Sequence, residues 1–243
     1  SRGLGDVYKR QLPNAMVQVS PVTKFHSGAG YQYEDSVIYG FTHTNKGHWN
    51  LCHIPLLPVT GTPTPGDYCS PFSHERESAA PGYYQVFLDR YGVDAQLSST
   101  LRCAFHKYTY PAGAAASLLA DLQRSNEHVR AWDIRKEGDN VFAGWQQTGE
   151  KMYFYAVANR PVTGIEPVVE GDREVRIVRF GEGDGALELR IGFSFVSEKN
   201  ARENLEAEML GKSFAEVRSE ATATWNDLLG RIRVEGGTER EKG

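Results

Sequence analysis

No stretch of the 243-residue sequence approaches the roughly 20 apolar residues that a membrane-spanning helix needs. Cysteine is scarce: Cys52, Cys69 and Cys103 sit at wide, unrelated spacings, form no CxxC pair and leave one thiol over in any disulfide scheme. Neither a zinc ribbon nor a disulfide scaffold is supported, and the three thiols read as small, mostly buried side chains. Positive charge is in deficit, with 27 Lys and Arg against 31 Asp and Glu. That balance leaves no basic surface to release counterions from a phosphate backbone, so nucleic acid is not an expected partner. Missing too are a GxSxG elbow, a P-loop, a dinucleotide fingerprint and an HExxH helix. The first residues lack the charged, apolar and small-residue order of a secretion signal.

What is present is strand material, in a chain whose 40% hydrophobic and 11% aromatic residues suffice for one large core or two small ones. Residues 37–42, 83–89, 95–101, 103–110, 152–158, 174–180 and 186–195 are short, rich in β-branched and aromatic side chains, and often alternate apolar with polar. Turn chemistry separates them at residues 61–66 (GTPTPG), 90–93 (RYGV), 136–140 (KEGDN), 147–150 (QTGE) and 181–185 (GEGDG). Many strands without intervening helices predict antiparallel sheets packed as a sandwich, because parallel strands need crossover connections. Residues 113–123 carry helix-favouring alanines inside the strand series and are read as strand.

Beyond Ser197 the apolar spacing becomes helical, over residues 198–209 and 214–229, with Ser197 as N-cap and Gly230 as stop. A short strand is expected at residues 232–235. The fold class is therefore all-β, a large antiparallel β-sandwich over residues 12–196 followed by a short two-helix linker over residues 197–243. Residues 1–11 (SRGLGDVYKRQ) show no periodicity and read as a non-native leader.

Three clusters carry chemistry. Residues 40–58 hold His43, His48 and His53 around an Asn45, Lys46, Gly47 turn, at a five-residue spacing that fits no standard zinc motif. Their functional reading is a sugar-contacting loop, with Trp49 stacking on a pyranose and His43, His48 and Asn50 bonding hydroxyls; the alternative is a core Trp beside partly buried histidines. In residues 73–84, Glu75 and Glu77 flank His74, but neighbouring carboxylates in a polar loop are expected to be solvated. Glycoside hydrolysis needs its two carboxylates on opposite sides of the bond. In residues 102–111, strand alternation puts His106 and Tyr108 on one face and Phe105 and Lys107 on the other.

These clusters belong to an ordered set: residues 16–21 (MVQVSP), 30–44 (GYQYEDSVIYGFTHT), 73–84 (SHERESAAPGYY), 105–111 (FHKYTYP), 196–206 (VSEKNARENLE) and 234–239 (VEGGTE). Together they resemble glycoside hydrolase family 92, the α-mannosidases of glycan-degrading bacteria, over residues 12–240. The resemblance implies an N-terminal galactose-mutarotase-like supersandwich, a helical linker and a C-terminal (α/α)6 barrel. It implies exo-acting, inverting hydrolysis of mannose-containing glycans with calcium as cofactor, in a secreted or periplasmic enzyme. The two carboxylates, and most calcium ligands, come from the barrel in that family, so no catalytic or metal-ligating residue is assigned on this chain. Alone, the chain is expected to be inactive, with the sandwich closing one side of the pocket through His43, His48, Trp49 and Asn50. The family's usual glycine-rich, aspartate-containing stretch is replaced here by NKGHWNLCH (residues 45–53), which leaves the linkage preference open. A free-standing carbohydrate-binding module is the competing reading.

Overall fold

The computed structural model describes residues 12–47 and 49–231. The leader at 1–11, His48 and the expected strand at 232–235 lie outside the described residues. In chain order the first strands are β1 (Ser20–Val22), β2 (Val37–Ile38), β3 (Gly40–Thr42), β4 (Asn45–Lys46), β5 (Trp49–Asn50), β6 (Leu56–Val59) and β7 (Ser70–Pro71). After a 3-10 turn at His74–Arg76 come β8 (Glu77–Ala80), β9 (Tyr83–Leu88), β10 (Val93–Ser99), β11 (Cys103–Thr109) and β12 (Ser117–Ala120). The series ends with β13 (Ala131–Gly138), β14 (Val141–Gln147), β15 (Lys151–Ala158), β16 (Val162–Glu170), β17 (Arg173–Phe180) and β18 (Leu187–Ser194), then helices α1 (Glu198–Glu208) and α2 (Phe214–Leu229).

Two large antiparallel sheets face one another. One has the order β1-β3-β6-β12-β17-β16, the other β13-β14-β15-β18-β11-β10-β9-β8. Alternation builds the space between them: in β15, Met152, Phe154, Ala156 and Ala158 are buried, while Lys151, Tyr153, Tyr155 and Val157 keep partial exposure. Phe41, Leu57, Leu119 and Ile177 from one sheet join Val86, Leu97, Phe154 and Ile191 from the other in one core.

The helices are docked on the outer face of the larger sheet. Leu205, Met209, Phe214 and Val217 form a second apolar cluster with Tyr83, Cys103 and Phe105. The α1 backbone meets β18 at Gly192, where an added Cβ would lie 2.1 Å from the Ala201 carbonyl oxygen. Glu208 then accepts bonds from Thr100 Oγ1 (2.5 Å) and the Arg102 backbone N–H (2.9 Å), tying the end of α1 to the β10–β11 turn. Ser197 caps α1 and Gly230 follows α2 as expected, while Ser213, not singled out from the sequence, caps α2 in a full capping box with Glu216.

Residues 113–123 contain a strand, β12, paired with β6 and β17. The expected single strand at 37–42 divides instead: β2 pairs with β7, whereas β3 joins the six-stranded sheet. Strands β13, β14 and β16 have no counterpart in the sequence reading. Two of them are sheet edges: β13 exposes Arg135, Lys136 and Glu137, and β16 carries Gly164 and Pro167, tolerated where one side of the ladder is unpaired. In β14 the run is interrupted by Gly144, where an added Cβ would lie 2.0 Å from the Asp133 carbonyl oxygen.

Substituting Gly192→Ala forces the Ala201 carbonyl, and Leu205 Cβ at 2.8 Å, out of place. The expected cost is about 1–3 kcal/mol, typical of overpacking. Thermal melting checks it: Gly192→Ala lowers the midpoint by several degrees, and Gly149→Ala, with no atom within 4 Å of its added Cβ, leaves it in place.

Candidate functional site: the Trp49 hairpin and its supports

Strands β4 and β5 form a two-rung hairpin, Asn45 opposite Asn50 and Lys46 opposite Trp49, closed by a turn at Gly47 with φ +62°. Trp49 is 55% exposed. Its ring lies over Gly28, where φ is +78° and an added Cβ would sit 3.1 Å from Cζ3, so a bare backbone forms the floor beneath the indole. The core-Trp alternative therefore fails for this residue.

Of the other expected sugar contacts, His48 lies outside the described residues, and two are corrected. His43 is fully buried. It leaves β3 toward the opposite sheet, with Nε2 3.1 Å from Nε2 of His106 and its ring 4.6 Å from that of Phe193. Burial pushes the His43 pKa down to about 3 and that of His106 well below the usual imidazole range, the nearby His43 adding to the shift at His106. Asn50 is also buried; its Oδ1 accepts from Cys52 N–H (2.8 Å) and Thr42 Oγ1 (3.3 Å), shaping the turn after the hairpin. Neither reaches a hydroxyl outside the protein.

Behind the hairpin the backbone is strained. Cys52 (φ 55°) and Ile54 (φ 52°) occupy the left-handed region, costly above all for a β-branched side chain. Hydrogen bonds hold both: Asn50 Oδ1 takes Cys52 N–H, and Gln146 Oε1 takes Ile54 N–H (2.8 Å). Between them His53 Nδ1 meets Thr44 Oγ1 (2.9 Å), while Nε2 meets Glu127 Oε2 (3.0 Å) and Thr148 Oγ1 (3.1 Å). One ring proton on Nε2 satisfies these partners, in keeping with burial lowering the His53 pKa against the pull of Glu127. Burial alone would raise the Glu127 pKa, but bonds from Thr148 and His53 outweigh it and hold the carboxyl below its usual range.

The loop carrying Glu127 supplies further clamps. Ser125 Oγ donates to Leu51 O (2.7 Å), and Asn126 contacts both Asn50 O and His26 N–H. Sequence reading missed Gly28, Ser125, Asn126, Glu127, Gln146 and Thr148, because each acts on a segment at least 20 residues away in sequence and no local motif announces it.

The 73–84 cluster is also corrected in part. Glu77 is not solvated: its side chain is 9% exposed, and its oxygens accept from Tyr84 Oη (2.7 Å), Tyr31 Oη (3.0 Å) and His74 Nδ1 (2.6 Å). It is a structural acceptor with both oxygens engaged, whereas Glu75 lies on the surface. In β11, His106 and Tyr108 face the core and Phe105 the helices, as alternation predicts. Among the described residues no group of three or more His, Cys, Asp or Glu is arranged to hold a metal ion.

The buried histidines make stability depend on pH. A ring whose folded pKa lies below its unfolded value of 6.5 takes its proton first in the unfolded chain. Stability from neutral His43 and His106 is therefore complete above that value and lost as pH falls from it toward about 3. The urea midpoint is expected to drop between about pH 7 and about pH 5, above the carboxylate range, and the drop to shrink in His106→Gln.

Comparison with known proteins agrees with this architecture. Residues 4–205 match the glycosyl hydrolase family 92 N-terminal domain, and residues 200–243 match the family 92 catalytic domain. A family GH92 alpha-mannosidase from Bacteroides thetaiotaomicron superposes with a TM-score of 0.86 at 26% identity, covering 97% of this chain and 37% of that one. The GH92 family glycosyl hydrolase ccman5 gives 0.81 at 27% identity, covering 94% and 35%. An uncharacterized secreted glycosidase of Arthroderma benhamiae is 23% identical over 93% of this chain and 36% of its own length. The chain thus spans little more than a third of these relatives. With the family model matched across most of its length and the fold shared at a TM-score of 0.86, the chain belongs to glycosyl hydrolase family 92, of which it carries the N-terminal domain.

Proposed function

We propose that this chain is the N-terminal part of an exo-acting, calcium-dependent, inverting α-mannosidase of mannose-containing glycans, and that the Trp49 hairpin forms one wall of its sugar pocket. The observation that carries the reading is the succession of two family models along one chain, the N-terminal domain to residue 205 and the catalytic domain from residue 200. An exposed indole fixed over a glycine floor suits the wall role. It offers the C–H face of a pyranose a large apolar surface whose entropy is already spent.

Inversion requires one carboxylic acid to protonate the leaving oxygen and one carboxylate to activate water, held roughly 6.5–9.5 Å apart. Glu77 is committed to three donors and cannot serve as either. The family resemblance assigns the catalytic pair and most calcium ligands to the catalytic domain, so residues 1–243 alone are expected to be inactive. A secreted or periplasmic setting fits a substrate of external glycans.

The test is hydrolysis of an aryl α-mannoside by the chain continued through its catalytic domain, with the first-formed anomer read by NMR. Expected are β-mannose as first product, loss of activity on chelation with recovery on calcium, and no turnover by residues 1–243 alone. Trp49→Ala should lower kcat/KM by about three- to tenfold, the value of one aromatic contact. Retention of configuration would contradict the mechanism, and tight mannose binding by the isolated chain would favour a free-standing binding module.

A further inference from the structure

We propose that Asn126 is the positioning residue for Trp49; the inference rests on Trp49 being a pocket wall. The indole and its floor belong to different segments: Trp49 is on β5, whereas Gly28 is in the 26–30 loop. Asn126 comes from a third, 76 residues beyond Asn50 and 100 beyond His26. Its carboxamide joins the other two with one acceptor and one donor. Oδ1 accepts from His26 N–H at 2.6 Å, and Nδ2 donates to Asn50 O at 2.7 Å. The Asn126 backbone N–H donates to Leu51 O (3.0 Å), fixing the carboxamide against the residue that follows β5.

The geometry of the floor needs such a tie. His26 is a non-glycine residue at φ 60°, and Gly28 and Gly30 follow at φ 78° and 75°, so the loop doubles back through three left-handed positions. Its direct bond to the hairpin is Asn50 N–H to Gly28 O, 2.7 Å. Without the carboxamide, His26 N–H loses its acceptor and Asn50 O is left with the long contact from Cys52 Sγ (3.8 Å), and the floor is free to move from beneath the ring. Asparagine alone among side chains of this length offers a planar donor and acceptor; Asp keeps the acceptor for His26 and loses the donor to Asn50.

A double-mutant cycle in the enzyme comprising this chain and its catalytic domain separates positioning from simple support. Asn126→Ala is expected to lower kcat/KM by about fivefold with Trp49 present and by less than about twofold in the Trp49→Ala background, because the two changes remove one shared contribution. Equal losses in both backgrounds overturn the proposal. A second readout needs no turnover: with 5-fluorotryptophan incorporated, Asn126→Asp should shift or broaden the Trp49 fluorine resonance and leave those of Trp132 and Trp145 in place. An unmoved Trp49 resonance also overturns it. If Trp49→Ala leaves kcat/KM unchanged while Asn126→Asp moves the Trp49 resonance, the pocket-wall reading fails and the positioning role stands.

Discussion

Side chains leave a β-strand on alternate faces, and along residues 40–44 that constraint joins the core to the site. Phe41 and His43 turn inward, against Tyr84, His106 and Phe193 of the opposite sheet. Thr42 and Thr44 turn the other way and bond Asn50 and His53. A slip of one residue would bring the histidine out and the threonines in, stranding polar groups on both sides. The register opposite β1, with Ser20 against Thr42, therefore fixes where the Trp49 hairpin emerges.

The hairpin is short, two rungs, and could not hold itself in water. Its rigidity is borrowed from distant elements. Gln146, on β14 in the opposite sheet, reaches Ile54, and the loop between β12 and β13 supplies Ser125, Asn126 and Glu127. Backbone strain at Cys52 and Ile54 persists because these bonds over-determine the path. An isolated loop with the same sequence would relax.

How much of this was legible follows from the same physics. Strands β9 and β15 alternate because one face is buried and the other is not, while β11, β17 and β18 are more fully buried and rich in β-branched and aromatic side chains; all five could be read within a residue or two. The edges β13 and β16 were invisible because solvent removes the apolar signal on which such reading depends. At the site, local sequence marked the histidines and Trp49 as unusual without sorting them. Burial sorted them: His43 became a core residue and Trp49 a surface one. The clamps were hidden because a hydrogen bond across 76 or 100 residues leaves no mark on either neighbourhood. Family resemblance supplied the chemistry, which composition and periodicity alone could not.

In the proposed enzyme the sandwich is one wall of a shared pocket, with the carboxylates on the far side. A crystal structure of the chain continued through its catalytic domain, bound to a mannose-configured inhibitor, tests this most directly. The Trp49 ring is predicted within about 4 Å of a sugar ring, the distance of van der Waals contact. An indole pointing into bulk solvent, away from the bound sugar, would contradict it.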